Sequence, residues 1–297
     1  MGAYMGGRAR RHRGAEFIDG WAAAVNATWQ STRRHVDKNS MASSLARGDT
    51  DGVIAAGDLV IVLEDFKRMH AVRVSPGQTF HNRFGSFPHD AMVGCRFGYR
   101  MRARGGDGFV HLLAPTPELW TSAVSHRTQI LYVADISMIT LGLDVGPGKI
   151  VVEAGTGSGS LSHAIARSVG RTGKLHTYEF HEQRAGLAAA EFAANGLSGI
   201  VESRHADVCE ALFTYDGAIA PRSVDAAIFD LPQPWLAVPN IAPFMRPGGR
   251  LCCFSPCIEQ VGERVGPHLA RISRVSRAHL AGEPNARSSP ALRVHSA

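Results

Sequence analysis

The stretch KIVVEAGTGSGSLSHAIA, residues 149–166, decides how this chain folds. A β-branched apolar run enters a glycine loop, and a helical pattern leaves it. Strand, loop and helix in that order make a turn that holds nucleotides. Gly155, Gly157 and Gly159 alternate as G-x-G-x-G. No lysine follows where a Walker A loop needs one, which disfavours a P-loop. The dinucleotide fingerprint G-x-G-x-x-G also fits poorly, because Ser160 stands in place of its last glycine.

Further strands follow downstream. KLHTYEF (174–180), IVESRHAD (200–207), VDAAIFD (224–230) and GRLCCFSP (249–256) read as strands, with helical segments between most of them. The alternation predicts an α/β domain with a parallel, doubly wound sheet. Continuous apolar runs such as AAIF fit strands covered on both faces. Upstream, a single helical stretch is expected from residue 116, where Ile130, Leu131, Val133, Ile136, Ile139 and Leu143 recur at roughly helical spacing. The GPG at 146–148 ends it.

Before that lie GDLVIVLED, MHAVRVSPG, QTFHNRFGSFPHD and GFVHLLAPTP, short β-rich runs separated by turn residues. They predict a small, mainly antiparallel β domain with a basic glycine-rich loop at 100–108. The expected divisions are a basic extension over 1–44, the β-rich domain over 45–115, the α/β domain over 116–264 and a tail over 265–297. RARRHR (8–13) suits RNA contact or a nuclear address as well as a solvated arm. A short helix near 265–280 is expected within the tail.

Composition narrows the class. The 297 residues carry a formal charge of +6, with 44% hydrophobic residues, enough for a substantial core. The pI near 9.3 admits a nucleic-acid partner without demanding one. Five cysteines form no C-x-x-C pair, which suits a reducing compartment. Cys253 and Cys257 read as buried thiols rather than metal ligands, and no metal is expected. No apolar run is long enough to cross a membrane.

The acids around the loop carry the chemistry. Glu153 sits just before the glycines, where a pyrophosphate would be repelled. S-adenosylmethionine has no phosphate and carries a sulfonium and an ammonium, so acids help it bind. Glu153 reads equally as an acid bonding backbone N–H groups at the turn. Glu179, ending the second strand of the unit, is placed for ribose hydroxyls, as it would be for NAD. Asp207 either accepts from an adenine amino group or caps the following segment. Asp230, followed by the stiff LPQP, presents a held carboxylate suited to a nucleobase with an exocyclic amine. These acids lie at the carboxyl ends of successive strands, where open α/β sheets bind ligands. Trp235 reads as packing.

PTPELWT…HRTQILYVADISMIT, EAGTGSGSLSHAIAR, HTYEFHEQRA, DLPQPW and FSPCIEQV follow one another as in the catalytic subunit of the eukaryotic tRNA (adenine-58-N1)-methyltransferase family. The chain resembles that family over roughly residues 52–264. The resemblance implies a Rossmann-like S-adenosylmethionine-dependent methyltransferase domain preceded by a small β-rich domain. It implies tRNA as substrate, methylation of N1 of the T-loop adenine, and a non-catalytic partner subunit of related fold in a nuclear heterotetramer. Carried over position by position, the cofactor contacts fall on Leu131, on Gly155, Thr156, Gly157, Ser158, Gly159 and Ser160, on Glu179 and Arg184, and on Asp207 and Val208. The catalytic aspartate falls on Asp230. Substrate contacts fall on His81, Arg83, Gln129, Tyr132, Ser255, Pro256 and Gln260, with Arg127 facing the same crevice. Arg100, Arg102 and Arg104 are further candidates for the tRNA backbone. The strands that close the family's sheet after CIEQV have no evident counterpart in 265–297, where ISRVS is the only short candidate. Two rival readings are an NAD-dependent oxidoreductase and a non-catalytic tRNA-binding subunit.

Overall fold

The computed structural model describes residues 52–124, 128–210, 213 and 219–255, and the backbone of 294–296. The expected extension, the helix near 265–280 and ISRVS lie outside the described residues.

The first unit is a four-stranded antiparallel sheet with a hairpin beside it. Its strands are β1 (Leu59–Asp65), β2 (Arg68–Arg73), β5 (Tyr99–Arg102) and β6 (Phe109–Leu113), in the order β2-β1-β6-β5. The hairpin pairs β3 (Thr79–Asn82) with β4 (Gly85–Pro88). Strand periodicity builds its core. Val60 and Val62 point to one face of β1 and pack with Val72, Phe87, Met92, Val110 and Leu112. Leu59, one residue out of phase, points the other way onto Trp120 and Val124. β1 is therefore buried on both sides. The stretch expected as a loop at 100–108 begins inside β5, because Arg100 and Arg102 pair with His111 and Phe109 of β6.

The expected long helix is two short ones, α1 (Pro117–Ala123) and α2 (Val133–Gly142). Thr116 caps α1 by accepting from the Leu119 N–H, and Pro117 occupies its first turn. At Val124 the backbone turns extended, with φ −66° and ψ 144°. Beyond it, Thr128 and Leu131 give their polar groups to the glycine loop rather than to a helix. Tertiary bonding has overridden the local periodicity.

The second unit is a six-stranded parallel sheet, ordered β12-β11-β10-β7-β8-β9. Its strands are β7 (Ile150–Ala154), β8 (Lys174–Glu179), β9 (Val201–His205), β10 (Val224–Phe229), β11 (Met245–Cys253) and β12 (Val294–Ser296). The helices between them are α3 (Ser160–Val169), α4 (Glu182–Ala194) and α5 (Pro234–Ile241). One sheet face packs Val151, Ile228 and Cys252 against α2, α3 and α4 through Ile139, Ile165 and Phe192. The other packs Val152, Ala227 and Phe229 against Val238 and Ile241 of α5. β12 corrects the expectation that the tail adds no strand, for Val294–Ser296 pairs in parallel with Leu251–Cys253.

From β7 the chain lays β8 and β9 on one side, then returns to lay β10 on the other. The switch point therefore lies between the carboxyl ends of β7 and β10. Ile165, fully buried between α3 and the sheet, measures this packing. Ile165→Ala is expected to lower unfolding stability by about 3 kcal/mol in urea titration.

Candidate active site

The turn out of β7 is shaped by what it passes. Gly155 has φ 97°, and a Cβ there would stand 2.2 Å from the Asp230 carbonyl oxygen. Gly157 has φ 54°, and its Cβ would stand 2.8 Å from Thr128 Oγ1. Neither position admits a side chain. The N–H groups of Gly155 and Thr156 both donate to the Tyr178 carbonyl, at 2.8 and 3.2 Å. The Thr156 hydroxyl pairs with Thr177 at 2.6 Å. Ser158 Oγ accepts from the Thr128 N–H at 3.3 Å. Ser160 Oγ lies 2.7 Å from Thr121 Oγ1 and donates to the Leu131 carbonyl at 3.1 Å. The hydroxyls of Thr156, Ser158 and Ser160 thus brace the loop from behind.

The acids separate into two roles. Glu179 is buried at the end of β8. Its Oε2 accepts from the Gly157 N–H at 2.9 Å, and its Oε1 takes the His181 N–H and the Arg184 guanidinium. Burial works to raise its pKa, but Arg184 and the two backbone N–H groups outweigh burial and hold it below the ordinary value. A charged carboxylate is thus tied directly to the loop, with bonding capacity left on Oε2. Asp207, half-buried after β9, accepts from the Cys209 N–H at 2.9 Å. That bond closes a turn of the Asx type. The Ala206 N–H bonds the Glu179 carbonyl at 3.1 Å, so these two acids stand at adjacent strand ends.

Asp230 is held by its backbone, whose N–H donates to the Ala154 carbonyl at 2.9 Å. Among the described residues no donor reaches its carboxylate. Its pKa is raised, and burial alone is the cause.

Glu153 corrects the electrostatic expectation. It shares a face of β7 with Val151 and points under α3, 2% exposed. Its Oε2 accepts from Ser162 Oγ at 2.6 Å. Burial pushes its pKa up to about 7 against the Ser162 and Thr177 hydrogen bonds, with Asp230 and Glu179 adding to the rise. It neither lines the crevice nor bonds the turn's N–H groups, and near neutral pH a large share of it is uncharged. Repulsion of a pyrophosphate therefore does not follow from Glu153.

The structure brings the Thr128 N–H, the Leu131 carbonyl, Glu179 and Arg184 onto the glycine loop at the switch-point crevice, beside Asp207 and Asp230, while the Leu131 side chain packs in the core. Val208 enters the crevice only through its backbone, since its side chain is buried beneath the sheet. Gln129 and Tyr132 are exposed beside Leu131, and Ser255 is half-buried just beyond β11. Thr128 was not singled out by the sequence, because it lies in a segment whose periodicity reads as helix. Arg127, Pro256 and Gln260 lie outside the described residues, as does Cys257. His81 is exposed on β3. Arg83 is committed within the β domain. Its Nε lies 2.6 Å from Glu64 and its Nη2 2.7 Å from Asp65, so it is no free cation for RNA. Among the described residues, no group of three or more His, Cys, Asp or Glu could hold a metal ion. Burial pushes the Cys252 and Cys253 thiols up to about 11 and about 12.

A parallel sheet with this order, a glycine turn after its central strand and acids at the neighbouring strand ends is the Rossmann-like fold of S-adenosylmethionine-dependent methyltransferases. A methyltransferase of that class acting on oxygen, from Thermotoga maritima, superposes with a TM-score of 0.64 at 25% identity, over 77% of this chain and 81% of that one. The tRNA (m1A58) methyltransferase TrmI of Aquifex aeolicus shares the fold at TM-score 0.57 and 22% identity, over 70% and 78%. The chain belongs to the family of the tRNA methyltransferase complex GCD14 subunit, whose pattern matches residues 108–271. Residues 52–99 match the TrmI-like N-terminal domain.

The chain is also similar to curated catalytic subunits of tRNA (adenine(58)-N(1))-methyltransferase. It is 44% identical over 211 residues to that of Cryptococcus neoformans, covering 70% of this chain and 47% of that one. It is 42% identical over 212 residues to that of Schizosaccharomyces pombe, covering 69% and 57%. The chain thus spans about half the length of these relatives.

Two substitutions test the site's construction. Gly155→Ala is expected to drive the loop off Asp230 and weaken nucleoside binding at least about tenfold in calorimetry. Glu153 makes stability depend on pH. The folded carboxyl keeps its proton up to about pH 7, whereas an ordinary one loses it near 4.5. Its contribution is complete below 4.5, declines as pH rises, and is gone above about 7. Glu153→Gln is expected to abolish that decline, worth about 3 kcal/mol at most, as read by thermal melts across the range.

Proposed function

We propose that this chain is the catalytic subunit of a tRNA adenine-N1 methyltransferase. It transfers the methyl group of S-adenosylmethionine to N1 of the T-loop adenine at position 58. It acts in the nucleus, in a heterotetramer with a non-catalytic subunit of related fold. The observation that carries this reading is Asp230, a half-buried carboxylate without a donor among the described residues, held against the glycine turn by the close approach that Gly155 permits.

The residues present fit the cofactor. The glycine turn packs against Asp230 and Thr128 where a Cβ would collide, which sets the loop beside the carboxyl ends of β8 and β10. Glu179 keeps accepting capacity for ribose hydroxyls, and Asp207 with the Val208 backbone suits an adenine edge. Bound there, S-adenosylmethionine supplies an electrophilic methyl group on a cationic sulfur. The protein's task is placement, since adenine N1 carries a lone pair and needs no strong base. A T-loop base must first be extruded from the fold of the tRNA into the crevice. Asp230 accepts from the N6 amino group and orients the ring. It then faces the positive charge that grows on the base. A desolvated carboxylate without a counter-ion is stabilised by that charge, so the group is better satisfied as reaction proceeds.

Exposed Arg100, Arg102 and Arg104 on β5 and the turn after it suit phosphate contacts, with affinity falling as salt rises. Glu179 suits NAD equally well, so an oxidoreductase is set aside on family membership. A subunit that only bound tRNA would have no use for an intact glycine turn and a held Asp230.

Asp230→Ala is expected to cut methylation of a tRNA transcript at least about 100-fold, assayed with the partner subunit present. Its affinity for S-adenosylhomocysteine should stay near that of the wild type. Wild-type turnover in the variant, or equal methylation of a transcript lacking the T-loop adenine, would sink the assignment.

A further inference from the structure

The glycine loop is gripped from a second side by buried polar groups that the chemistry above does not use. His163 lies one turn into α3, 1% exposed, with ring centroids of Trp120 and Phe192 at 4.9 and 5.2 Å. Its Nδ1 stands 2.6 Å from the Gly159 carbonyl oxygen, and its Nε2 stands 3.0 Å from Asn195 Nδ2. Asn195, just past α4, is 4% exposed. Its Oδ1 accepts from Arg73 Nη2 at 2.9 Å. Arg73 is the last residue of β2 in the β domain, and its Nη1 donates to the Gly57 carbonyl at 2.9 Å.

Chemistry fixes the polarity of this chain from both ends. A guanidinium has only donors, so the oxygen of Asn195 faces Arg73. The Asn195 amide nitrogen must then face the imidazole, and Nε2 must offer a lone pair. A carbonyl only accepts, so Nδ1 carries the proton that bonds Gly159. Amide orientation and tautomer follow from the partners on either side, with no free choice between them.

The end point of the chain is the last glycine of the loop. Gly159 has φ 74° and starts α3 with no capping side chain. A Cβ there would meet Phe192 at 3.2 Å. Its carbonyl takes the first helical bond from the His163 N–H at 3.1 Å and a second from the imidazole. No peptide bond among the described residues is cis, so the Ser160 N–H points opposite to that carbonyl. Holding the carbonyl therefore aims the N–H.

We propose that Arg73, Asn195 and His163 form a polar relay that sets the glycine loop for cofactor binding. His163 is a positioning residue in it, and the β domain, through Arg73, is a working part of the cofactor site. This rests on the cofactor reading given above.

The test uses the full chain and S-adenosylhomocysteine as probe, by calorimetry between about pH 5.5 and 8. Asn195→Asp keeps an acceptor for Arg73 but replaces the donor to His163 with a second acceptor. The imidazole, set between the Gly159 carbonyl and a carboxylate, then satisfies both only when doubly protonated. Glu153 titrates in this range in both proteins, so the wild type at each pH is the reference, and relative to it the variant should lose about tenfold from the acid to the alkaline end. Nitrogen-15 shifts of the imidazole should report the Nδ1–H tautomer in the wild type and the imidazolium in the variant at low pH. If circular dichroism shows that this variant does not fold, Arg73→Met and Arg73→Lys decide instead. The Met variant should bind several-fold more weakly, roughly 3- to 10-fold, and Lys should restore most of the loss. Asn195→Asp with the wild-type affinity and pH profile overturns the relay, as do Met and Lys variants that bind alike. Either result leaves the cofactor reading standing. A wild-type chain that takes up no S-adenosylhomocysteine overturns that reading, and this inference with it.

Discussion

The site depends on one close approach. The chain leaves β7 so near the end of β10 that a single added carbon on Gly155 would collide with the Asp230 carbonyl. The parallel sheet imposes this, because β7 and β10 are neighbours whose outgoing chains part in opposite directions. The bond from the Asp230 N–H to the Ala154 carbonyl closes the approach. An acid can thus be held in place by backbone alone while its carboxylate stays available. Among the described residues no donor reaches this half-buried carboxylate; such an arrangement costs stability and persists where function uses it.

Charge around the crevice is organised by the donors each acid meets rather than by count. Glu153 precedes the glycines in the chain but lies beneath α3, bonded to Ser162, with its pKa pushed up to about 7 by burial. Glu179, one strand over, is as buried but stays ionised, because Arg184 and two backbone N–H groups face it. The same residue type at the ends of adjacent strands thus does different work. Glu153 fastens the helix to the sheet, and Glu179 fastens the loop and offers an acceptor.

The β domain is joined to this site through packing and polar contact. β1 is buried on both faces because α1 covers the side its own domain leaves open, through Trp120 and Val124. Trp120 then packs at a tilt against His163, and Arg73 reaches Asn195. The seam between the two units therefore ends at the back of the glycine loop.

The parallel sheet, its strands from β7 to β11, the glycine turn and the strand-end positions of Glu179, Asp207 and Asp230 were legible in the sequence. Strand periodicity and glycine spacing are local properties, and the carboxyl end of a strand is a place that can be counted to. The break between α1 and α2 was not legible, since Thr128 to Leu131 keep a helical spacing of apolar residues and give it up only because the loop offers them better partners. The pairing of Arg83 with Glu64 and Asp65 was not legible, because the acids end β1 and the arginine sits in the turn between β3 and β4. Sequence alone determined which residues reach the crevice end of each strand. Only the tertiary structure decided which carboxylates keep their charge, because that depends on the burial and donors brought by distant segments.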